Sequence, residues 1–333
     1  MALFSPATVY VKAAEPIPKG KPPKKVPSIL DQTPWETGFY TFPDEGKSFR
    51  GEVEYFNCTL LPHASGMDAL ITRRRDIPVG TVGRNALMAW TLIDNKPVKG
   101  WPIMIPQYHP FENWEDPRVT WASGKILLSW CNFKWNSFAH QCVGWLNERQ
   151  SVPKVWHPVI GDNGPRLMAN KGHEKNWLWF EHDGIIRLLY KSNPHIIYDT
   201  RDFNITGTHE TEGAMHMWKH GEMRGGCPPV RVGDFYYTFF HSRTNWIPPK
   251  CRYHMGAYEF EAKPPFKITR VTTKPILSGS ELDRRNIGAP VVVFPEGSKF
   301  VDGTWHVVGG SNDCQCFWQR IPHDELLRKM KKV

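Results

Sequence analysis

The chain has 333 residues, 40% of them hydrophobic, and 42 basic against 33 acidic side chains give it a formal charge of +9. That is enough apolar sequence for a large core in one or two domains, while no apolar run approaches the ~20 residues that cross a bilayer as a helix. The start of the chain lacks the pattern of a secretory leader, and seven scattered cysteines without a Cys-x-x-Cys pair argue against both a disulfide framework and a zinc site.

Residues 1–27 are rich in Lys and Pro between Lys12 and Lys25 and read as a flexible basic arm. Beyond it the chain consists of short apolar segments separated by Gly, Pro, Asn and Asp. Ala69-Leu70-Ile71 runs into Arg73-Arg74-Arg75-Asp76, a guanidinium cluster at a strand end that suits a phosphate or carboxylate, or else a solvated charge run. Asn113-Trp114-Glu115-Asp116-Pro117-Arg118 follows. Pro117 disfavours helix at Asp116, so the carboxylate is expected on a loop, in an extended or turn conformation, with Arg118 near enough to orient it. Such a carboxyl can serve as the general acid against the bridging oxygen of an acetal.

Ser123-Gly124 leads into Lys125–Trp130, and Asp183-Gly184 leads into Ile185–Tyr190, each rich in β-branched or aromatic residues. Between them, His173-Glu174-Lys175-Asn176-Trp177 groups acid, base, amide and aromatic. Lys191 and His195 end the next strand and could hold an anion. Arg224-Gly225-Gly226-Cys227-Pro228-Pro229 allows close backbone approach to a ligand but lacks the features of a P-loop. Phe235–Phe240 precedes His241. Ala289–Phe294 and Trp305–Val308 are the last strong strands, and Gly309-Gly310-Ser311-Asn312-Asp313 could aim Asp313 into a cleft. His323–Lys332 reads as a helix, and 323–333 as a basic tail.

The pattern predicts an all-β fold, and five recurrent units between about Trp35 and Arg320 favour a five-bladed β-propeller over residues 28–322. The chain contains neither Gly-x-Ser-x-Gly nor His-Glu-x-x-His, so hydrolase triads and zinc peptidases have no support. Cysteine usage suggests free buried thiols in a reducing, cytoplasmic setting.

The ordered motifs from about Phe56 to Arg320 resemble glycoside hydrolase family 130, the propeller mannoside phosphorylases and hydrolases, and the related glycosyltransferase family 108. The matching segments are the strand ending in Arg73-Arg74, Glu115-Asp116-Pro117-Arg118, Lys175-Asn176 with Phe180 and Gly184, and Lys191 with Pro194. They continue with Gly225-Gly226-Cys227-Pro228-Pro229, Phe240-His241-Ser242, Tyr253-His254-Met255-Gly256-Ala257, Glu281, Val291–Pro295 and Asn312-Asp313. The resemblance implies an inverting glycosyl-transferring enzyme of mannoside-related chemistry, with Asp116 as proton donor in a central cleft. It implies that Arg73, Arg74, Lys175 and Lys191 hold a phosphate or nucleotide phosphate. Glu115, Arg118, Asn176, His195, Arg224, His241, Tyr253, Glu281 and Asp313 complete the expected substrate site. Inorganic phosphate, a sugar phosphate or a nucleotide sugar is the expected co-substrate of a glycoside, with no metal or other cofactor.

Lys134, His140 and Gln141 stand where phosphorylases offer an Arg for phosphate, which weighs against free phosphate as acceptor. An inverting hydrolase is the runner-up, with Glu212 or Glu174 as base. A non-catalytic binder of nucleic acid or glycan, using fifteen Trp residues and the basic ends, is the third reading. Assembly into a homo-oligomer is also expected from the family, and no membrane contact.

Overall fold

A computed structural model describes residues 26–48, 51–61, 69–78, 84–106, 112–134, 139–158, 175–244, 251–283 and 291–333. Most of the N-terminal arm and Glu174 lie outside the described residues, as does the side chain of Lys134. The short strand β1 (Thr37–Phe39) comes first in the chain. The first sheet follows as β2 (Gly46–Ser48), β3 (Gly51–Leu61), β4 (Ala69–Pro78), β5 (Arg84–Ile93) and β6 (Lys96–Pro102). The second contains β7 (Glu112–Ala122), β8 (Lys125–Lys134) and β9 (Ala139–Leu146), and the third β10 (Leu178–His182), β11 (Ile185–Ser192), β12 (His195–Arg201) and β13 (Asn204–Thr211). The fourth is built from β14 (Arg224–Gly225), β15 (Val230–Val232), β16 (Phe235–Thr244), β17 (Arg252–Glu261), β18 (Ile268–Thr272) and β19 (Leu277–Ser278). The fifth holds β20 (Val293–Val301), β21 (Thr304–Ser311) and β22 (Gln315–Pro322), with β1 paired to β22. Helix α1 (His323–Lys329) and β23 (Met330–Lys332) end the chain.

Turn chemistry explains the hairpins. Ser123-Gly124, Asp183-Gly184 and Asp302-Gly303 each place both residues at positive φ, the twist that joins antiparallel strands in two residues. A Cβ added at any of these glycines would meet nothing within 4 Å, so the backbone angle, not space, is what requires glycine.

The five sheets close into a ring. β3 packs against β7, β7 against β10, β11 against β14, β16 against β20, and β20 and β21 against β3. A separate apolar cluster fills each junction. Ile71 meets Trp130 between the first and second sheets, and Leu127 meets Trp179 between the second and third. Leu189 meets Tyr258 at the next junction, Phe239 meets Trp305 at the fourth, and Cys316 meets Tyr55 where the ring closes. Neighbouring Leu127 and Leu128 therefore serve different junctions. Burial of both sheet faces is why these strands read as continuous apolar runs rather than alternating ones. β1, from before the first sheet, completes the fifth and so ties the two ends of the ring together.

The C-terminal segment departs from the expected tail. Only His323–Lys329 is helical; β23 then pairs with β18, and Leu326 and Met330 are buried in the cluster around Trp305. The apolar positions of this segment outweigh its charge. Trp305 also donates through Nε1 to Nδ1 of His323 at 3.0 Å, fastening α1 to the fifth sheet. Trp305→Ala should therefore lower stability by about 3–5 kcal/mol, the usual cost of a large core truncation, as read by urea unfolding; a loss well under 1 kcal/mol would show that this junction does not support the ring.

Candidate functional site

Asp116 does not lie on a loop. It sits inside β7, where the register to β8 slips between Glu115 and Arg118. Pro117 has no N–H for the ladder, and Asp116 takes the left-handed backbone at φ 52°, which Asp tolerates better than most residues. In place of the expected loop, a bulge within the strand turns the carboxylate out of the sheet. Two other inner strands do the same. β3 slips at Asn57, also left-handed at φ 51°, and β20 slips at Glu296.

These irregularities converge. Asn57 Nδ2 donates to Oδ1 of Asp116 at 2.9 Å, and Lys175 Nζ lies 3.9 Å from Oδ2. Arg118 is 1% exposed. Its Nε donates to the carbonyl of Gly226 at 2.7 Å, and its two remaining nitrogens donate to the carbonyl of Asp116 at 3.0 Å and to Oδ1 of Asn176 at 3.2 Å. All three guanidinium nitrogens of Arg118, expected at the substrate, are thus engaged within the protein. Arg73 Nη2 bridges to Glu115 Oε1 at 2.5 Å, where Asn85 Nδ2 also donates at 3.1 Å.

Charge distribution follows burial. Burial would raise the Asp116 carboxyl, but Lys175, Arg118, Arg73 and the Asn57 amide together outweigh it and hold the group below its usual range. Lys175 is correspondingly held above its ordinary value: burial opposes its charge, and Asp116 and Glu115 restore it. Glu115 is pushed up by burial, against Arg73 and with Asp116 adding to the rise. Asp313 behaves alike: part of the residue reaches solvent, yet packing around its carboxyl and the neighbouring Asp116 raise it, against Arg73. Glu296 is fully buried, its two oxygens have no hydrogen-bond partner among the described residues, and burial followed by Asp116 pushes it well above the carboxylate range.

The remaining expected residues divide. His241 stacks on Tyr253 at 5.8 Å and contacts Phe294 at 4.3 Å, and burial, then Arg118, holds its imidazole neutral. Lys175 feels the Tyr253 phenol, so the pair borders the same group. Lys191 and Arg224 line a cavity of about 240 Å³ together with Lys175, Asn176, Tyr190 and Glu222. Arg224 bonds Glu222 through Nε at 2.9 Å and Nη2 at 2.6 Å.

Other expectations fail. Strand alternation sends Arg74 to the face opposite Arg73 and Arg75, where it pairs with Asp76 at 2.8 Å. Arg75 instead shares the Phe56 ring with Arg73 and donates to the Asp313 carbonyl at 3.1 Å. His195 is buried against Tyr258 and Phe260, and burial lowers its pKa to about 3, so it is a core residue and no anion ligand. Glu281 is ion-paired to Arg252, which engages the carboxylate expected for sugar hydroxyls. Glu212 is exposed just past β13, at the edge of the third sheet, and precedes Gly213, which packs on Asn193 of the cavity that Lys191 and Arg224 line. Gln141 is spent on the Trp130 carbonyl at 2.8 Å. Asn57 and Glu296 were missed; the polar interruptions Phe56-Asn57-Cys58 and Pro295-Glu296-Gly297 inside apolar strands were the available signals.

A second cavity, of about 370 Å³, opens at the far ends of the inner strands and draws Leu60, Trp121, Glu181, Arg231 and Phe300 from all five sheets. It is the larger of the two and has charged residues of its own in Glu181, Arg231 and Lys299, but none of the bulge residues Asn57, Asp116 and Glu296 lines it.

No protein-family model and no curated protein matches the chain. Solved structures do share its fold. The β-1,2-mannobiose phosphorylase from Listeria innocua superposes with a TM-score of 0.64 at 16% identity, covering 84% of this chain and 92% of its own. A structure from the GH130 family of mannoside phosphorylases, reported with hydrolases that target β-1,2-mannosidic linkages in Candida mannan, gives 0.62 at 13% identity, with 83% and 86% covered. MPT-1, a GDP-Man-dependent mannosyltransferase from Leishmania mexicana, gives 0.55 at 13% identity, with 88% and 91% covered. The all-β fold that the sequence implied is found, and these structures share it.

Glu296 supplies a test of the buried electrostatics. Its folded pKa lies above its unfolded one, so the stability it contributes is complete below the unfolded value and is lost as pH rises toward the folded value, at up to roughly 1.4 kcal/mol per pH unit. Glu296→Gln should match the wild type in acid and unfold at higher urea near pH 8. A variant weaker than wild type at pH 8 would mean that Glu296 is ionised and paired.

Proposed function

We propose that the five sheets are the blades of a five-bladed propeller and that the chain is an inverting glycosyl-transferring enzyme acting on mannose-related sugars, with Asp116 as its proton-carrying group. The observation that carries this reading is an ionised, buried Asp116 with Lys175 3.9 Å away, next to a cavity that also presents Lys191 and Arg224. A carboxylate held below its usual pKa is a weak base, but it stands unprotonated at neutral pH and so is available to take a proton. In the synthetic direction Asp116 takes the proton of the acceptor hydroxyl, directly or through a sugar hydroxyl, while the acceptor oxygen attacks the anomeric carbon and the phosphate group departs with its bonding pair. In the reverse direction the same carboxyl returns the proton, which is the general-acid role expected from the motif.

Lys175, Lys191 and Arg224 would hold the phosphate of a sugar phosphate, a nucleotide sugar or the inorganic anion; Arg73 would act through Glu115 and the adjoining sugar. His241 and Tyr253 offer a neutral, aromatic wall for the sugar ring. Hydrolysis fits less well, because inversion with water needs a second ionised carboxylate across the ring. The carboxyls that feel the Asp116 charge, Glu115, Glu296 and Asp313, all have raised pKa values.

Purified protein should be given β-1,2-mannobiose with phosphate, and separately GDP-mannose or mannose 1-phosphate with mannose. Phosphate-dependent mannose 1-phosphate, or a new mannoside with release of GDP or phosphate, is the expected outcome; free mannose formed equally with and without phosphate would overturn it. Asp116→Asn should reduce turnover by at least ~100-fold, the lower end of general acid–base contributions, with donor binding retained. Lys191→Ala and Arg224→Ala should raise the donor KM more than they lower kcat. Because the working base form of Asp116 persists below the ordinary carboxylate pKa, kcat/KM for transfer should show no acid limb from this group between pH 7 and 5. A limb there that vanishes in Asp116→Asn would contradict the assignment.

A further inference from the structure

The outer strand of the second sheet carries a group that glycosyl transfer does not use. Successive side chains alternate along a strand, so His140 and Cys142 share one face of β9. The chain then returns beside β9: Val143 and Trp156 exchange backbone hydrogen bonds at 3.0 and 2.9 Å, which sets His157 across from Cys142. Nδ1 of His157 is 3.4 Å from Sγ of Cys142, and the rings of His140 and His157 lie 5.4 Å apart, tilted by 51°. One donor atom from each of the three residues falls within 4.8 Å of the other two. Cys142 is 1% exposed and belongs to the apolar cluster between the first and second sheets, while both histidines are partly buried.

We propose that His140, Cys142 and His157 form a metal site of the zinc class, with a fourth coordination position for water or a further donor. Tetrahedral zinc with Zn–S near 2.3 Å and Zn–N near 2.05 Å separates sulfur from nitrogen by about 3.6 Å, close to the Cys142–His157 spacing; only the His140 ring has to close in. Two imidazoles and a thiolate suit a borderline-soft divalent ion and disfavour magnesium or calcium, which take oxygen ligands. On binding, the Cys142 S–H bond breaks, the sulfur lone pair forms the bond to zinc, and the proton leaves to solvent, with no change of oxidation state. The ion clamps the segment around His157 to β9, where the second sheet has three strands among the described residues. Its role is structural, since the ligands face the junction with the first sheet.

The test uses full-length, tag-free protein, stripped with chelator and titrated with Zn²⁺ or Co²⁺ alone. The expected results are one equivalent bound, a higher Tm, proton release that accompanies binding, and a cobalt spectrum with a thiolate charge-transfer band and strong tetrahedral visible bands. Cys142→Ser should abolish the charge-transfer band and weaken binding beyond the roughly 10–100-fold that loss of an outer-sphere partner costs. His140→Gln, at a partly exposed position, should weaken binding comparably and serves if Cys142→Ser does not fold. Absence of saturable binding, a cobalt spectrum without the sulfur band, or equal affinity in either folded variant would overturn the proposal.

Discussion

The Arg118 guanidinium is the contact on which the centre of this molecule depends. It is rooted in the second sheet, donates to Asn176 before the third and to the Gly226 carbonyl of the fourth, and lies 5.5 Å from the Phe294 ring of the fifth. It also holds the Asp116 carbonyl. A planar cation with several fixed donors can tie together backbone from separate elements in a way that an ammonium group cannot. Its burial is tolerable because its donors are used and because Asp116 lies beside it. Removing it would leave two carbonyls and an amide without their donor at the point where the sheets meet.

Around this contact the inner strands give up regular pairing. Asn57, Asp116 and Glu296 occupy bulges on three of the sheets, and each turns a polar group toward the centre. A left-handed Asp or Asn costs on the order of 1–2 kcal/mol relative to ordinary backbone, a cost that packing elsewhere in the ring must offset. The result is a set of carboxyls pushed in opposite directions: cations hold Asp116 below its ordinary pKa, while burial holds Glu296 well above it.

Much of the fold was legible in the residues. Apolar runs such as Lys125–Trp130, Ile185–Tyr190 and Phe235–Phe240 all lie in strands, and the Gly-bearing turn cues all start hairpins, because local backbone preference and burial act on short stretches. The C-terminal segment was misread because its charges hid Leu326 and Met330, whose partners stand far away in sequence. In the site, Asp116, Lys175 and Asn176 were legible from Pro117 and the grouping of polar types. Arg74 was separable from Arg73 and Arg75 only by strand phase. His195 looked like a ligand because nothing local reveals that Tyr258 and Phe260 cover it.

By itself the sequence determined the strand-and-turn succession, the presence of a Pro-bound acidic pair and the all-β class of the fold. Those features rest on backbone angles, alternation and apolarity, which neighbouring residues set. Tertiary structure decided which charges meet: that Arg118 spends its donors within the protein, that Glu296 feels the Asp116 charge, that Arg74 parts from Arg73, and that His157 returns to Cys142. Electrostatics and hydrogen bonding between sheets depend on distances of a few ångströms across hundreds of residues of chain. The closing of the ring sets those distances, and no local spacing encodes them.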